Sequence, residues 1–409
     1  MKVLIISPSE ICHHPRLLKA ADYLYSKNVE VTVYNAVTGL ADRELYESIK
    51  RSRSWKIVEN NITKRSLVFR LRWMYSSLVT KLAEGLFRRR IPVFSLYPHV
   101  LNKGYVLFPN SLKKAKYDYI LIHLVDTLPL AARLKESTNA RLIFDCQEYF
   151  NGQYETEAQF KRNWVSLTQT RFVPETDVIL GTTNVMLNRL RREFLGPRTF
   201  FRVRNVPMKK ERKVSQQEEE TLRIVWHGLT VIPKNTRGVH ILLEAVAQCN
   251  TPVRLFLQGS ITDDDRKRLE QMEKDLGIVD KVVLLPPAHP DAIVESLSNY
   301  DIGAAGELAT QDNQRLTSSN KLFEFISAGL AVLAPDLPGL AETINEYKVG
   351  LLYQQGNIKD LAEKIDMLNA DRALLHQFRM ASKMAAESEL YWEKDFGNVW
   401  EWMELSESI

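Results

Sequence analysis

Residues 318–339 read SSNKLFEFISAGLAVLAPDLPG, the pattern of a short helix followed by a strand. Leu322, Phe325 and Ile326 fall at helical spacing, so that side faces a core. Lys321 and Glu324, three residues apart, share a different side. Ser318, Ser319 and Asn320 stand where the helix opens; any of them can cap it and leave first-turn N–H groups for an anion. Lys321 occupies that first turn, where the macrodipole disfavours a cation, so a bound diphosphate would relieve it. Glu324 then stands about one ribose away, and a carboxylate accepts hydrogen bonds from two adjacent hydroxyls. The competing reading is an exposed Lys–Glu surface pair, worth about 0.2–0.5 kcal/mol.

Working outward, apolar strand-like runs alternate with helical patterns along both halves of the chain. Residues 2–6, a helix opening near Pro15 and residues 29–34 form a βαβ unit, which implies a parallel sheet. Further strand-like runs cover 119–123, 141–145 and 178–181. After the polar stretch 208–221 (MKKERKVSQQEEET) the alternation restarts at 222–227. The expected fold class is α/β, with two doubly wound Rossmann-like domains facing a cleft. The expected boundaries are 1–207 for an acceptor-binding domain, 208–221 for a linker and 222–390 for a nucleotide-sugar-binding domain. Residues 391–409 are expected as a helix packing back across the two.

The chain has 409 residues, 26% of them charged and 45% hydrophobic, ordinary values for a globular protein of two domains. Three widely spaced cysteines exclude a disulfide framework and fit a reducing cytosol. No spacing suits a zinc site, and no run of apolar residues is long enough to span a bilayer. A cytoplasmic protein is expected. The net charge of +5 hides an asymmetry: residues 1–210 carry roughly 35 basic and 18 acidic side chains, about +17, against about −12 for the rest. A basic half suits an anionic partner.

Residues 320–334 (NKLFEFISAGLAVLA), followed by Asp336-Leu-Pro-Gly339, resemble the nucleotide-binding signature of GT-B glycosyltransferases, most closely the family-4-like, retaining branch. Residues 224–245 (IVWHGLTVIPKNTRGVHILLEA) resemble that family's first C-domain strand, Gly-rich loop and helix. His14-Pro-Arg16, His123 and Phe144-Asp-Cys-Gln-Glu148 resemble its acceptor-domain loops. The resemblance implies that Glu324 holds the ribose hydroxyls, and that Lys321 with the amides of Ser318, Ser319 and Asn320 holds the diphosphate. It implies that Gly228 lets the backbone approach, that Arg237 or Lys234 neutralises the diphosphate, and that His123 lies near the anomeric centre. Where the family often has a second Glu this chain has Leu316, and Glu307 is the nearest upstream acid that could contact the sugar. Leu229 replaces a basic residue of the loop. The implied activity is transfer of a hexose from a UDP- or GDP-sugar to a glycan or lipid-linked acceptor, with retention and without a metal or other cofactor. It fits cell-surface polysaccharide or glycolipid synthesis.

Residues 64–94 hold eight Lys or Arg and one acid, Glu84, among apolar residues at helical spacing. Either this helix lies on an anionic membrane surface, making the protein peripheral on the inner face, or its basic side is merely solvated. His13 and His14 contact the acceptor or cap a helix. Asp263-Asp-Asp265 reads as an acid-rich helix start rather than a metal motif. Two other functions remain open: a nucleotide-sugar epimerase of the same fold, and a non-catalytic anion- or nucleic-acid-binding protein. No nucleic-acid-binding module is recognisable, so nucleic acid is not expected as a partner.

Overall fold

A computed structural model describes residues 1–7, 10–37, 43–61, 67–89, 91, 112, 114–153, 159–210, 220–233 and 235–407. The chain divides into two compact units. One comprises Met1–Thr182, Leu187–Val203 and Asn398–Ile409, the other Thr183–Met186 and Arg204–Gly397. Residues 211–219 of the expected linker lie outside the described residues.

The first unit holds seven strands: β1 (Lys2–Ser7), β2 (Glu30–Val37), β3 (Lys56–Asn61), β4 (Tyr119–His123), β5 (Arg141–Asp145), β6 (Val178–Gly181) and β7 (Thr199–Arg202). All pair in parallel, in the order β3-β2-β1-β4-β5-β6-β7. Strands β1, β2 and β4 are buried along almost their whole length, as expected where helices cover both faces of a parallel sheet. Pro15 opens the helix Pro15–Ser26, as its fixed φ favours. The aromatic tail supplies core to this unit: Tyr119 Oη donates to the Met403 carbonyl at 2.8 Å, and its ring meets Trp402 edge-on at 5.9 Å.

The second unit holds β8 (Leu222–Thr230), β9 (Val253–Ser260), β10 (Val282–Leu285), β11 (Ile302–Ala304), β12 (Ala331–Pro335) and β13 (Gly350–Tyr353). They too are all parallel, in the order β10-β9-β8-β11-β12-β13. Both units are therefore Rossmann-like α/β domains, as expected. Within the second, Arg204 and Asp395 form a buried ion pair with contacts of 2.6 and 2.9 Å. Trp392 and Phe396, at the start of the helix Trp392–Glu407, stack at 5.3 Å. Among the described residues no helix is long and apolar enough to cross a membrane.

The helix Asn320–Ser327 buries Leu322, Phe323, Phe325 and Ile326. Phe325 packs over β11 at Gly303, where a Cβ would come within 2.1 Å of the ring. Only glycine leaves room for that approach. Gly303→Ala is expected to cost about 1–3 kcal/mol, the usual penalty for overpacking a core. Urea unfolding followed by tryptophan fluorescence should show an earlier midpoint, and an unchanged midpoint would refute this packing.

Candidate active site

In open α/β sheets ligands gather beyond the carboxyl ends of the strands, where the strand order reverses. In the second unit that point lies between β8 and β11. The loops that follow these two strands touch. Gly238 has φ +73°, and a Cβ there would lie 1.6 Å from the Gly306 carbonyl oxygen. Leu308 N–H donates to the Thr236 carbonyl at 2.7 Å, closing the approach.

The helix Asn320–Ser327 begins at N-cap Ser319, whose side chain makes no capping hydrogen bond. Its first-turn N–H groups have no partner within the helix. Ser318 is buried, and its hydroxyl has no hydrogen-bond partner among the described residues. With Phe325 fixed on Gly303, Lys321 and Glu324 meet residues of β8 and of the segment that follows β11. They do not form the solvated surface pair of the competing reading. Glu324 Oε2 lies 3.0 Å from His227 Nε2, and the carboxylate is only 18% exposed. His227, near the end of β8, meets Phe325 edge-on at 5.2 Å. Lys321 Nζ lies 3.2 Å from Glu307 Oε1 and 4.8 Å from the Trp226 ring centroid. Burial alone would push the Glu307 carboxyl up, but Lys321, which donates to it at 3.2 Å, leads the opposing interactions that hold it below the usual range.

Gly228 is dictated by its neighbour: a Cβ there would come 2.7 Å from the Trp226 ring. Arg237 is exposed, its backbone N–H donating to Asn235 Oδ1 at 2.9 Å. Asn320 is exposed as well. Lys234 lies outside the described residues. The second unit thus gathers Glu324, Lys321, Glu307, Ser318 and Ser319 around the first two turns of one helix. Sequence reasoning missed His227, although its place at the end of β8 was the available signal.

The first unit has its own reversal point, between β1 and β4. His123 ends β4, Asp145 ends β5, and the two are opposite each other in the register. Arg16, on the helix that follows β1, places Nε 2.8 and 2.7 Å from the two Asp145 oxygens. His123 Nδ1 lies 2.9 Å from Asp145 Oδ2. Burial would raise the Asp145 carboxyl, but Arg16 and then His123 hold it far below the ordinary carboxylate range. A fixed anion at Nδ1 leaves the far nitrogen, Nε2, available for proton transfer; it is buried and has no hydrogen-bond partner among the described residues. Leu124 follows with φ +66° and ψ +151°, a strained conformation for a residue with a side chain, costing on the order of 1–3 kcal/mol. Thr127 Oγ1 donates to the His123 carbonyl at 2.7 Å, anchoring this turn. In the same turn, burial pushes the Asp126 carboxyl up to about 6, against a weaker pull from Lys161. Arg16 and Asp145 fall in stretches that resemble the family's acceptor-domain loops, but neither they nor Asp126 had been given a role of their own.

His14 carries the clearest pH signature of this cluster. Burial first, then His123 and His13, lower it from 6.5 to about 4, against an opposite pull from Glu10. The unfolded chain therefore binds this proton more readily than the folded one. The stability it contributes is complete above pH 6.5 and is lost as pH falls toward 4. His14→Gln is expected to lose less melting temperature than the parent across that window. An equal loss in both proteins would show that another group sets the acid response.

Comparison with known proteins follows the same division. Residues 221–371 match the family described as glycosyl transferases group 1. Among curated proteins, comparison by sequence finds no match. Sucrose-phosphate synthase from Thermosynechococcus elongatus superposes with a TM-score of 0.71 at 13% identity, over 100% of both chains. HepE from Anabaena, in complex with UDP and glucose, gives 0.68 at 16% identity, over 99% of this chain and 100% of that one. The lipopolysaccharide outer core galactosyltransferase WaaB gives 0.61 at 12%, over 100% of both chains. These superpositions show the GT-B fold across the whole chain. Residues 221–371 form a glycosyl transferases group 1 domain, and the enzyme that carries it is a transferase.

Proposed function

We propose that this protein transfers a hexose from a nucleoside diphosphate to an acceptor hydroxyl, with retention at the anomeric carbon. The observation that carries the reading is the position of Lys321 and Glu324. Lys321 stands in the first turn of the helix Asn320–Ser327 and Glu324 one turn further on, beside the reversal point of the second sheet. Glu324 would take the ribose hydroxyls, held in place by His227. The diphosphate would draw Lys321 toward its oxygens, assisted by first-turn N–H groups and by Arg237 or Lys234. Gly228 would let the backbone approach. Glu307, relieved of Lys321, would turn to the sugar.

The departing diphosphate gains negative charge in the transition state, and fixed donors aimed there stabilise it. In this reading those donors carry the charge without a metal. His123, oriented by Asp145, would exchange a proton with the acceptor hydroxyl or contact the sugar. A UDP-sugar is favoured as donor because HepE is described with UDP and glucose. A glycan or lipid-linked acceptor and a role in cell-surface polysaccharide or glycolipid synthesis are in keeping with WaaB's described place in the lipopolysaccharide outer core. A cytoplasmic location fits a chain whose three cysteines form no disulfide.

A thermal-shift panel of UDP-, GDP-, ADP- and CMP-sugars identifies the donor, and product analysis with and without acceptor then reads the reaction. Lys321→Ala and Arg237→Ala should each lower turnover by about 10²–10³ with the matched donor. Normal turnover in both would remove them from the mechanism. Epimerised donor formed without acceptor would replace the transferase reading with its epimerase alternative. His227→Gln should raise the donor KM with little change in kcat, since its part is to hold Glu324. A fall in kcat alone would contradict that positioning role.

A further inference from the structure

The helix Leu67–Arg88 of the first unit is amphipathic in the reverse sense for a water-soluble domain. Among the described residues, those it buries are small and partly polar: Ser76, Thr80 and Ala83. Beside basic residues, it presents large apolar ones to solvent. Leu67, Leu71, Met74, Leu78 and Leu82 recur at three- and four-residue spacing along one face, with Val68 and Tyr75 beside them. Leu67 is 73% and Leu78 67% exposed. An ordinary surface helix turns such a stripe inward. Here packing is satisfied by the opposite side, where Phe87 meets Trp164 edge-on at 5.4 Å. The exposed stripe is also continuous, the kind of apolar surface that marks an interaction site.

The charges select the partner. Arg70, Lys81 and Arg88 border one edge of the apolar stripe, Arg72 the other, and Glu84 is the only acid in the helix. Cations flanking an apolar stripe suit an acyl–headgroup boundary, where long basic side chains reach the phosphates while leucines enter the hydrocarbon. We propose that this helix lies flat in the surface of a bilayer containing anionic lipid and holds the first unit there. The contact is peripheral, since no helix among the described residues can span a membrane. The inference stands on this helix alone and does not depend on the sugar-transfer reading.

The test is sedimentation of the full chain with sucrose-loaded vesicles of phosphatidylcholine mixed with phosphatidylglycerol, against vesicles of phosphatidylcholine alone. The protein is expected to pellet preferentially with the anionic vesicles. Each of Arg72→Gln and Lys81→Gln should weaken partitioning about fivefold at low salt. The double variant Leu71→Glu/Leu78→Glu should abolish pelleting while keeping the parent melting temperature, because both side chains are exposed. Failure to pellet at low salt overturns the proposal, as does pelleting that the double variant leaves intact. Light scattering of the same samples supplies the remaining arm. A dimer that the double variant splits would assign the stripe to a second copy of the chain and overturn the membrane contact.

Discussion

The contact between Phe325 and Gly303 governs the second unit. With no side chain on β11 at that position, the phenyl ring sits directly on the sheet and fixes the rotation of its helix. Everything chemical follows from that rotation. The apolar residues go down, and Lys321 and Glu324 go to the end of β8, where Trp226, His227 and Glu307 meet them. A helix of only eight residues has little stability of its own. Burial of one aromatic ring therefore does more to place the polar groups than any of their own contacts.

Those polar groups are paired before any ligand arrives, and this solves an electrostatic problem. A lysine in the first turn of a helix opposes the macrodipole, and a carboxylate four-fifths buried is costly unless compensated. Glu307 and His227 answer these two costs separately. The first unit uses the same device at its own sheet reversal, where Arg16 and His123 converge on Asp145. In each unit an anion held by a nearby cation keeps a functional group in one orientation. Preorganisation of this kind spares the chain rearrangement when charge develops in a reaction.

Much of this was legible in residue order. Strands near the middle of each sheet are buried along most of their length and read as apolar runs, so β1, β4, β5 and β8 stood out. β3 (KIVENN) and β7 (TFFR) escaped notice because edge strands are short and half-covered, which blurs their pattern. The identities of Lys321 and Glu324 were clear from spacing, but their partners were not. His227, Glu307 and Asp145 lie on other elements, and only the sheet order brings them near. The basic helix was the least legible element. Its composition fits two opposite orientations, and only packing reveals that the small residues face inward.

The tail of the chain imposes an order on biosynthesis. Residues 398–409 belong to the first unit, where Trp402 and Met403 close against Tyr119 of β4. During translation the amino-terminal sheet can pair its strands early, yet part of its core has not been made. The second unit, encoded in between, reaches its full complement of residues sooner. The half synthesised first is therefore the half finished last, and a ribosome stalled within the closing helix would release a chain whose oldest portion remains unsealed.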